Sequence, residues 1–188
     1  IKEENNLSKT ISKASLSCGI NHLLIWEEVS KSDHERVLIL EDDILFLEDT
    51  LSYMIEIMAE IRKEHDIISL EDGAGLTVSS MGIEPDPEKT IYKIENGRMR
   101  CTGAYAITKR TCTKLVQLNT KRKFSLEIDM QLWLYGALKV INIFWSDPVA
   151  FAQGSQKGVF KSEVQEHKIS IDKQLVFDNK KCICIGLT

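Results

Sequence analysis

The chain has 188 residues, of which 43% are hydrophobic and 28% are charged, and these values are ordinary for one soluble globular domain with a sizeable core. The formal net charge of −4 lacks the basic excess that is typical of a nucleic-acid-binding protein. No stretch is long and apolar enough to span a bilayer, and the polar opening residues do not have the pattern of a secretory signal peptide.

The five cysteines are an odd number without regular spacing, which argues against a disulfide framework. Cys182 and Cys184 have neither the usual spacing of a structural zinc site nor a following pair of histidines. We therefore expect reduced thiols in a reducing compartment, and so a cytoplasmic location. Peripheral contact with the inner face of a membrane, and the oligomeric state, stay open.

The first predicted helix begins at Ser12 or Ser15 and runs to about Ser30, with apolar residues at helical spacing. His22 and Trp26 are four residues apart, so their side chains can touch on one face of the helix. His22 could face a site, but a single histidine on an amphipathic helix is more often packed and hydrogen-bonded. We favour that structural interpretation.

A run of four apolar residues, Val37-Leu38-Ile39-Leu40, leads directly into three acids, Glu41-Asp42-Asp43. The run predicts a strand buried on both faces, in a parallel or mixed sheet covered by helices. Ligands of open α/β sheets bind outside the carboxyl ends of the strands, and clustered carboxylates favour a cation such as Mg²⁺, Mn²⁺ or Ca²⁺. Capping of the next helix is the alternative interpretation of these acids.

A second short apolar run, Ile67-Ile68-Ser69-Leu70, also ends in acids, Glu71 and Asp72. We expect the two strand ends to bring their carboxylates to the same edge of one sheet. A helix is predicted between them, over residues 48–64. Residues 73–90 carry glycine and proline turn signals and predict a long loop, of the kind that is often functional.

Asn96-Gly97 between two short runs, 91–94 and 99–101, predicts a β-hairpin. A strand predicted over 102–108 begins with the small residues Gly103 and Ala104, which let a ligand or another backbone approach closely. Tight packing under a helix is the alternative explanation of these small residues, and the two are compatible.

A further helix is predicted over 109–118, and another opens at Ser125 or Glu127. Asp129 then lies in the first helical turn, where the helix dipole favours a carboxylate; it could also project into a cleft. The pattern predicts one domain over 1–188, with a core of about 12–155 and a partly mobile tail over 156–188.

Local patterns in one order connect the chain to a known family. They are SCGINHLLIW at residues 17–26, VLILEDD at 37–43, TGAYAITK at 102–109 and EID at 127–129. Over roughly residues 10–155 the chain resembles glycosyltransferase family 25, which includes lipooligosaccharide and collagen galactosyltransferases.

The resemblance implies an α/β fold of the GT-A, Rossmann-like type, with three layers and a mostly parallel mixed sheet. It also implies an inverting transfer of galactose or a similar sugar from a UDP-sugar to a glycan or lipooligosaccharide acceptor, with Mn²⁺ or Mg²⁺ as cofactor. The family begins with a strand and helix that help to hold the nucleotide, and we expect this unit to be missing before the first helix. Asn21 stands where the family has serine before His22.

The resemblance also implies roles for individual residues. Glu41, Asp42 and Asp43 fall on the acidic motif of the family, with Asp43 the expected direct metal ligand. Asp42 is expected beside the metal, and Asp42 or Glu41 in ribose or water-mediated contacts. Two further sets are implied: donor-side contacts from Gly103 and Ala104, and an acceptor-side base at Asp129 with Glu127 as the second candidate.

Two other hypotheses stay open at this point. The expected loss of the opening unit favours an inactive GT-A-like module that binds carbohydrate or another protein. Acids at a strand end are also compatible with a phosphoryl-transfer hydrolase, although the chain has no phosphate-binding loop of the G-x-x-x-x-G-K-[ST] type.

Overall fold

The computed structural model describes residues 11–73, 75–121 and 126–159, together with the backbone of 183–187. These residues form four α-helices, nine β-strands and one short 3₁₀ turn at Ser79–Met81. The helices are α1 (Lys13–Lys31), α2 (Thr50–Glu60), α3 (Lys109–Lys121) and α4 (Ile128–Ala137); the strands are β1 (Arg36–Leu40), β2 (Ile44–Phe46), β3 (Ile67–Ser69), β4 (Glu71–Asp72), β5 (Ile91–Lys93), β6 (Ala104–Thr108), β7 (Ile143–Ser146), β8 (Phe151–Gln153) and β9 (Ile183–Leu187).

The main sheet has the strand order β5-β7-β3-β6-β1-β9, and a small second sheet has the order β2-β8-β4. Among the described strands of the main sheet, only β3 and β7 pair in parallel, while the other four neighbouring pairs are antiparallel. The α/β class is therefore confirmed, but the expectation of a mostly parallel sheet is wrong. An apolar run shows that both faces of a strand are buried, and this pattern is the same whichever way the neighbouring strand runs.

The direction of the strands nevertheless brings the acids together as expected. Both β1 and β3 are antiparallel to β6, which lies between them, so β1 and β3 run in the same direction. Their carboxyl ends, which lead into Glu41 and Glu71, therefore lie at the same edge of the sheet. The prediction of a shared acidic edge is confirmed.

Side chains that alternate along β1 enter two separate apolar cores. Val37 and Ile39 pack on one face of the sheet, with residues of α1, α3 and α4. Leu38 and Leu40 pack on the other face, with residues of α2 and β8. Helices thus cover both faces of β1, as its uninterrupted apolar sequence predicts.

The hairpin predicted at Asn96-Gly97 is wrong, although a turn does form there. Gly97 adopts a φ of +67° and donates its N–H to the carbonyl of Ile94. Residues 94–103 then form no strand, and the side chain of Arg100 is buried in the interior. There it donates hydrogen bonds to the carbonyls of Ser69 and Ser146 at 2.7 and 3.1 Å. The strand β5 pairs with β7 instead.

The first helix begins as predicted, since Ser12 caps α1 by accepting the N–H of Ser15 at 3.0 Å. Helix α2 is shorter than the predicted range of 48–64. Most of the tail expected to be mobile, residues 160–182, lies outside the described residues, as does Ser125. Within the described part of the chain, no helix has the length and apolar composition that a membrane crossing needs.

Candidate functional site: an acidic edge of the main sheet

The start of β6 holds the two strand-end glutamates in place. The backbone N–H of Glu41 donates to the carbonyl of Gly103 at 2.7 Å. On the other side, the N–H of Ala104 donates to Glu71 Oε1 at 3.2 Å. We call the region around Glu41, Glu71 and Asp43 the acidic edge.

Glu41 Oε1 accepts three hydrogen bonds, which fix the carboxylate in one orientation. The donors are His22 Nε2 at 3.0 Å, Thr102 Oγ1 at 2.9 Å and Cys18 Sγ at 3.7 Å. Burial alone would raise the pKa of Glu41, but these hydrogen bonds and the nearby His22 lower it below its usual value. Glu41 is therefore an ionised carboxylate at neutral pH, with its side chain 19% exposed.

A second layer of aromatic side chains orients His22. Its Nδ1 lies 2.8 Å from the hydroxyl of Tyr105, which also accepts the indole N–H of Trp26 at 3.0 Å. All three side chains are fully buried. The structural interpretation of His22 is confirmed, and the same ring also contacts the acidic edge.

Glu71 differs from Glu41 because its environment favours the protonated form. It is fully buried, and Oε2 has no hydrogen-bond partner among the described residues. Burial, with repulsion from Glu41 as the next cause, raises the pKa of Glu71 to about 8. At neutral pH the acidic edge thus combines one ionised and one protonated glutamate.

The two aspartates of the motif have different surroundings. Asp42 is exposed, whereas Asp43 is half-buried. Ser155 donates its hydroxyl to Asp43 Oδ2 at 2.7 Å, and the N–H of Gly154 donates to the Asp43 carbonyl. Asp43 Oδ1 is buried and has no hydrogen-bond partner in the described part of the chain. The two oxygens of the Asp43 carboxylate therefore differ, since Oδ2 is paired with Ser155 and Oδ1 has no such partner among the described residues.

The amino-terminal end of α4 lies near the acidic edge. Asp129 lies in the first turn of α4, as predicted, and accepts the N–H of Met130 at 2.7 Å. Burial raises the pKa of Asp129, with smaller contributions from Glu127 and Glu41. Glu127 is exposed and accepts the hydroxyl of Ser15 at 3.2 Å.

Gly103 and Ala104 are both buried, and internal packing accounts for the glycine. A Cβ atom at Gly103 would lie 2.6 Å from Glu71 Oε2 and 2.7 Å from Ile44 Cδ1. The packing explanation is thus supported, and a contact with a sugar donor stays a prediction.

A cleft of about 370 Å³ is lined by residues that include Asp72, Arg100 and part of the 73–90 loop, whereas Glu41, Asp43 and Glu71 are not among its lining residues. The Lys157 ammonium lies 2.6 Å from the carboxylate of Asp72, one of the lining residues. Both side chains are partly exposed, so this ion pair adds little stability. Lys157 therefore remains a cation that a ligand could attract away from Asp72.

Several residues of the site were not anticipated from the sequence. Glu41 accepts hydrogen bonds directly from Cys18 and Thr102, and Tyr105 supports it through His22. Asp43 accepts a hydrogen bond from Ser155. A signal was present for Cys18, since it precedes His22 by four residues and so shares its helical face. Nothing in the spacing of Ser155 indicates that it contacts Asp43.

Comparison with known proteins identifies the family of the chain. A search of curated proteins finds no match to this chain. The family model described as glycosyltransferase family 25 (LPS biosynthesis protein) matches residues 1–132. That range contains the acidic motif, Gly103, Ala104, Glu127 and Asp129. Since the match covers more than two thirds of the 188 residues, the chain belongs to glycosyltransferase family 25.

Proposed function

We propose that the protein transfers a sugar, most simply galactose, from a UDP-sugar to a glycan or lipooligosaccharide acceptor with inversion at the sugar carbon. Family membership supports the reaction class. The observation that carries the rest is the acidic edge. It brings Glu41, Glu71 and Asp43 to one side of the sheet, and Asp129 lies in the first turn of α4.

The acidic edge fits a hard divalent cation such as Mn²⁺ or Mg²⁺. Asp43 offers a buried carboxylate oxygen that has no hydrogen-bond partner among the described residues, and the exposed Asp42 is adjacent. Carboxylate oxygens are the ligands such ions prefer. Asp43, with Asp42, would hold the ion, which when bound neutralises charge on the leaving diphosphate as a Lewis acid.

Glu41 is suited to a fixed contact with the donor. Its carboxylate is ionised and held by three donors, so it can accept a hydrogen bond from a ribose hydroxyl, directly or through water, without reorganising. Lys157 is paired with Asp72 through a partly exposed ion pair, and its ammonium can turn toward the diphosphate. These two groups would orient the nucleotide.

Asp129 is the proposed base that takes the proton of the acceptor hydroxyl. Burial raises its pKa, which brings the carboxylate closer to the range in which a general base works well at neutral pH. An inverting displacement needs its base on the face of the sugar opposite the leaving group, and α4 is a separate element from the strand end that carries Asp43. Glu127, at the start of the same helix, is the second candidate.

The roles of the two acids on α4 can be separated by substitution. We expect Asp129→Asn to lower kcat by roughly 10²–10⁴-fold, the usual contribution of a general base, while UDP binding persists. Glu127→Gln tests the second candidate on the same helix and should retain most of the rate if Asp129 is the base. The measurement is transfer or hydrolysis of UDP-galactose and related UDP-sugars in the presence of Mn²⁺.

Each other outcome of this experiment has a definite meaning. An Asp129→Asn variant with the wild-type rate would exclude Asp129 as the base. If the wild-type chain binds UDP but turns over none of the donors, the protein is a binding module rather than a transferase.

A further inference from the structure

We propose that Cys18, His22 and Glu41 form a binding site for a zinc-class divalent cation, distinct from the hard-cation site at Asp42 and Asp43. The proposal goes beyond the sugar transfer and does not depend on it. It concerns the metal ion that the Cys18 thiol, the His22 imidazole and the Glu41 carboxylate are suited to bind.

The three donor atoms are already close to the spacing that such an ion needs. They all lie within 4.8 Å of one another. Glu41 Oε1 lies 3.0 Å from His22 Nε2 and 3.7 Å from Cys18 Sγ. A tetrahedral zinc ion with bonds of about 2.0–2.3 Å separates its donors by roughly 3.3–3.8 Å. Small side-chain movements are therefore enough to admit the ion.

The donors are also carried on rigid elements. Cys18 and His22 are four residues apart on α1, and so lie on the same face of the helix. Glu41 follows β1 directly, and its own N–H is bound to the carbonyl of Gly103. Sites built on helices and strands hold their geometry better than sites on loops.

The environment of His22 allows the ring to switch from hydrogen-bond donor to metal ligand. Without an ion, the Tyr105 hydroxyl can donate to Nδ1, and the Nε2 proton then points to Glu41. With an ion, Nδ1 carries the proton and donates to the same hydroxyl, which leaves the Nε2 lone pair for the metal. A phenol oxygen can accept from both Trp26 and His22. Such an outer hydrogen bond is the usual partner of a metal-binding histidine.

The donor set selects the class of ion. Thiolate and imidazole favour zinc over Mg²⁺ or Mn²⁺, which favour oxygen ligands. Binding would form a metal–sulfur bond and release the thiol proton of Cys18 to solvent. Three protein donors leave a fourth tetrahedral position for water or a small ligand, and Glu41 and Cys18 are both partly exposed.

Cobalt substitution tests the site directly on the whole chain. We expect wild-type protein to bind one Co²⁺ with a sulfur-to-cobalt charge-transfer absorption that Zn²⁺ displaces. Cys18→Ser should abolish this absorption, and Tyr105→Phe should weaken binding about 10–100-fold, as other outer-shell changes do. Cys101→Ser is the matched control, because Cys101 is also half-buried but lies outside the trio. Its absorption should equal that of the wild type.

A second measurement uses wild-type protein alone and does not depend on how Cys18→Ser folds. Zn²⁺ should slow the alkylation of Cys18 by at least about tenfold, because the thiolate is both the nucleophile and the metal ligand. Peptide mass mapping measures the alkylation rate. Mn²⁺ at the same concentration should leave the rate unchanged.

Three results would overturn the proposal: no charge-transfer absorption in the wild type, the same absorption in Cys18→Ser, or Cys18 alkylation that Zn²⁺ does not slow. An Asp43→Asn variant distinguishes the two proposed metal sites experimentally. It should retain the cobalt absorption even where it loses Mn²⁺-dependent UDP binding.

Discussion

Glu71 is a buried acid whose protonation should affect the stability of the fold. Its pKa is raised from 4.5 to about 8, so the folded state keeps a proton that the unfolded chain releases. The stabilisation is complete below pH 4.5 and is lost as the pH rises toward 8. Over this window the contribution of Glu71 to the free energy of unfolding falls by up to about 1.4 kcal/mol per pH unit.

Glu71→Gln should remove this dependence, because the amide resembles the protonated carboxyl group. We expect the variant to gain stability relative to the wild type as the pH rises from 5 to 8, measured by urea unfolding at each pH. Glu88→Gln, at an exposed glutamate, should follow the wild type across the range. Parallel pH profiles for wild type and Glu71→Gln would show that Glu71 is ionised in the folded protein.

Tyr105 tests the buried network behind Glu41. Tyr105→Phe removes the hydroxyl that pairs with His22 and Trp26 and leaves both partners buried. An unpaired buried polar group costs about 1–3 kcal/mol, so we expect a loss of that size in thermal or urea unfolding. Tyr53→Phe, at a half-buried tyrosine of α2, should change stability by less than about 0.5 kcal/mol. Equal stability of the two variants would contradict the network.

The surroundings of a single residue could be predicted from the sequence only where a pattern such as helical spacing determined them. The packing of His22 followed from its place on an amphipathic helix, but its contact with Glu41 depends on how α1 lies against the end of β1. Such a contact joins residues that are 19 positions apart. Helical periodicity contains no information about it.

At the scale of elements, the close approach between the end of α4 and the turn at Gly97 is the most demanding contact. A Cβ atom at Gly136 would meet the carbonyl oxygen of Gly97 and would lie 2.9 Å from Ile143 Cδ1. The turn is fixed by the positive φ of Gly97 and by its bond to Ile94. The backbone therefore has little freedom to retreat.

We expect Gly136→Ala to destabilise the protein despite the better helix propensity of alanine. Alanine gains at most about 1 kcal/mol in a helix, whereas overpacking of this kind costs typically about 1–3 kcal/mol and here involves main-chain atoms. Ala137→Ser adds one atom at the next, exposed position and is the matched control. A Gly136→Ala variant with a melting temperature at or above that of the wild type would be inconsistent with this packing.

Strand existence was easier to predict than strand pairing. The runs at 37–40 and 67–70 identify β1 and β3 because each is apolar and bounded by polar segments. Their antiparallel neighbour β6 has the same apolar character, so direction cannot be deduced from composition. The hairpin prediction was wrong for a related reason: a local turn signal cannot reveal that Arg100 joins the ends of β3 and β7.

At the scale of the whole molecule, the sequence was sufficient to predict the α/β class and the acidic edge. Both predictions depend on several local signals that occur together. If two neighbouring apolar strands of one sheet run in the same direction, the acids that follow them lie at the same edge. The GT-A assignment, the sugar and the cytoplasmic location stay predictions. They depend on a donor, an acceptor and a cellular setting that the arrangement of side chains does not specify.

The central claim is that the acidic edge binds a nucleoside diphosphate together with a hard cation, and calorimetry of UDP binding with and without Mn²⁺ tests it most directly. We predict that wild-type protein binds UDP only with Mn²⁺ and that Asp43→Asn weakens this binding by more than about tenfold, or 1.4 kcal/mol. Asp49→Asn, at an exposed aspartate that makes no side-chain cap to α2, should bind like the wild type. Equal UDP affinity without Mn²⁺, or in Asp43→Asn, would contradict the claim.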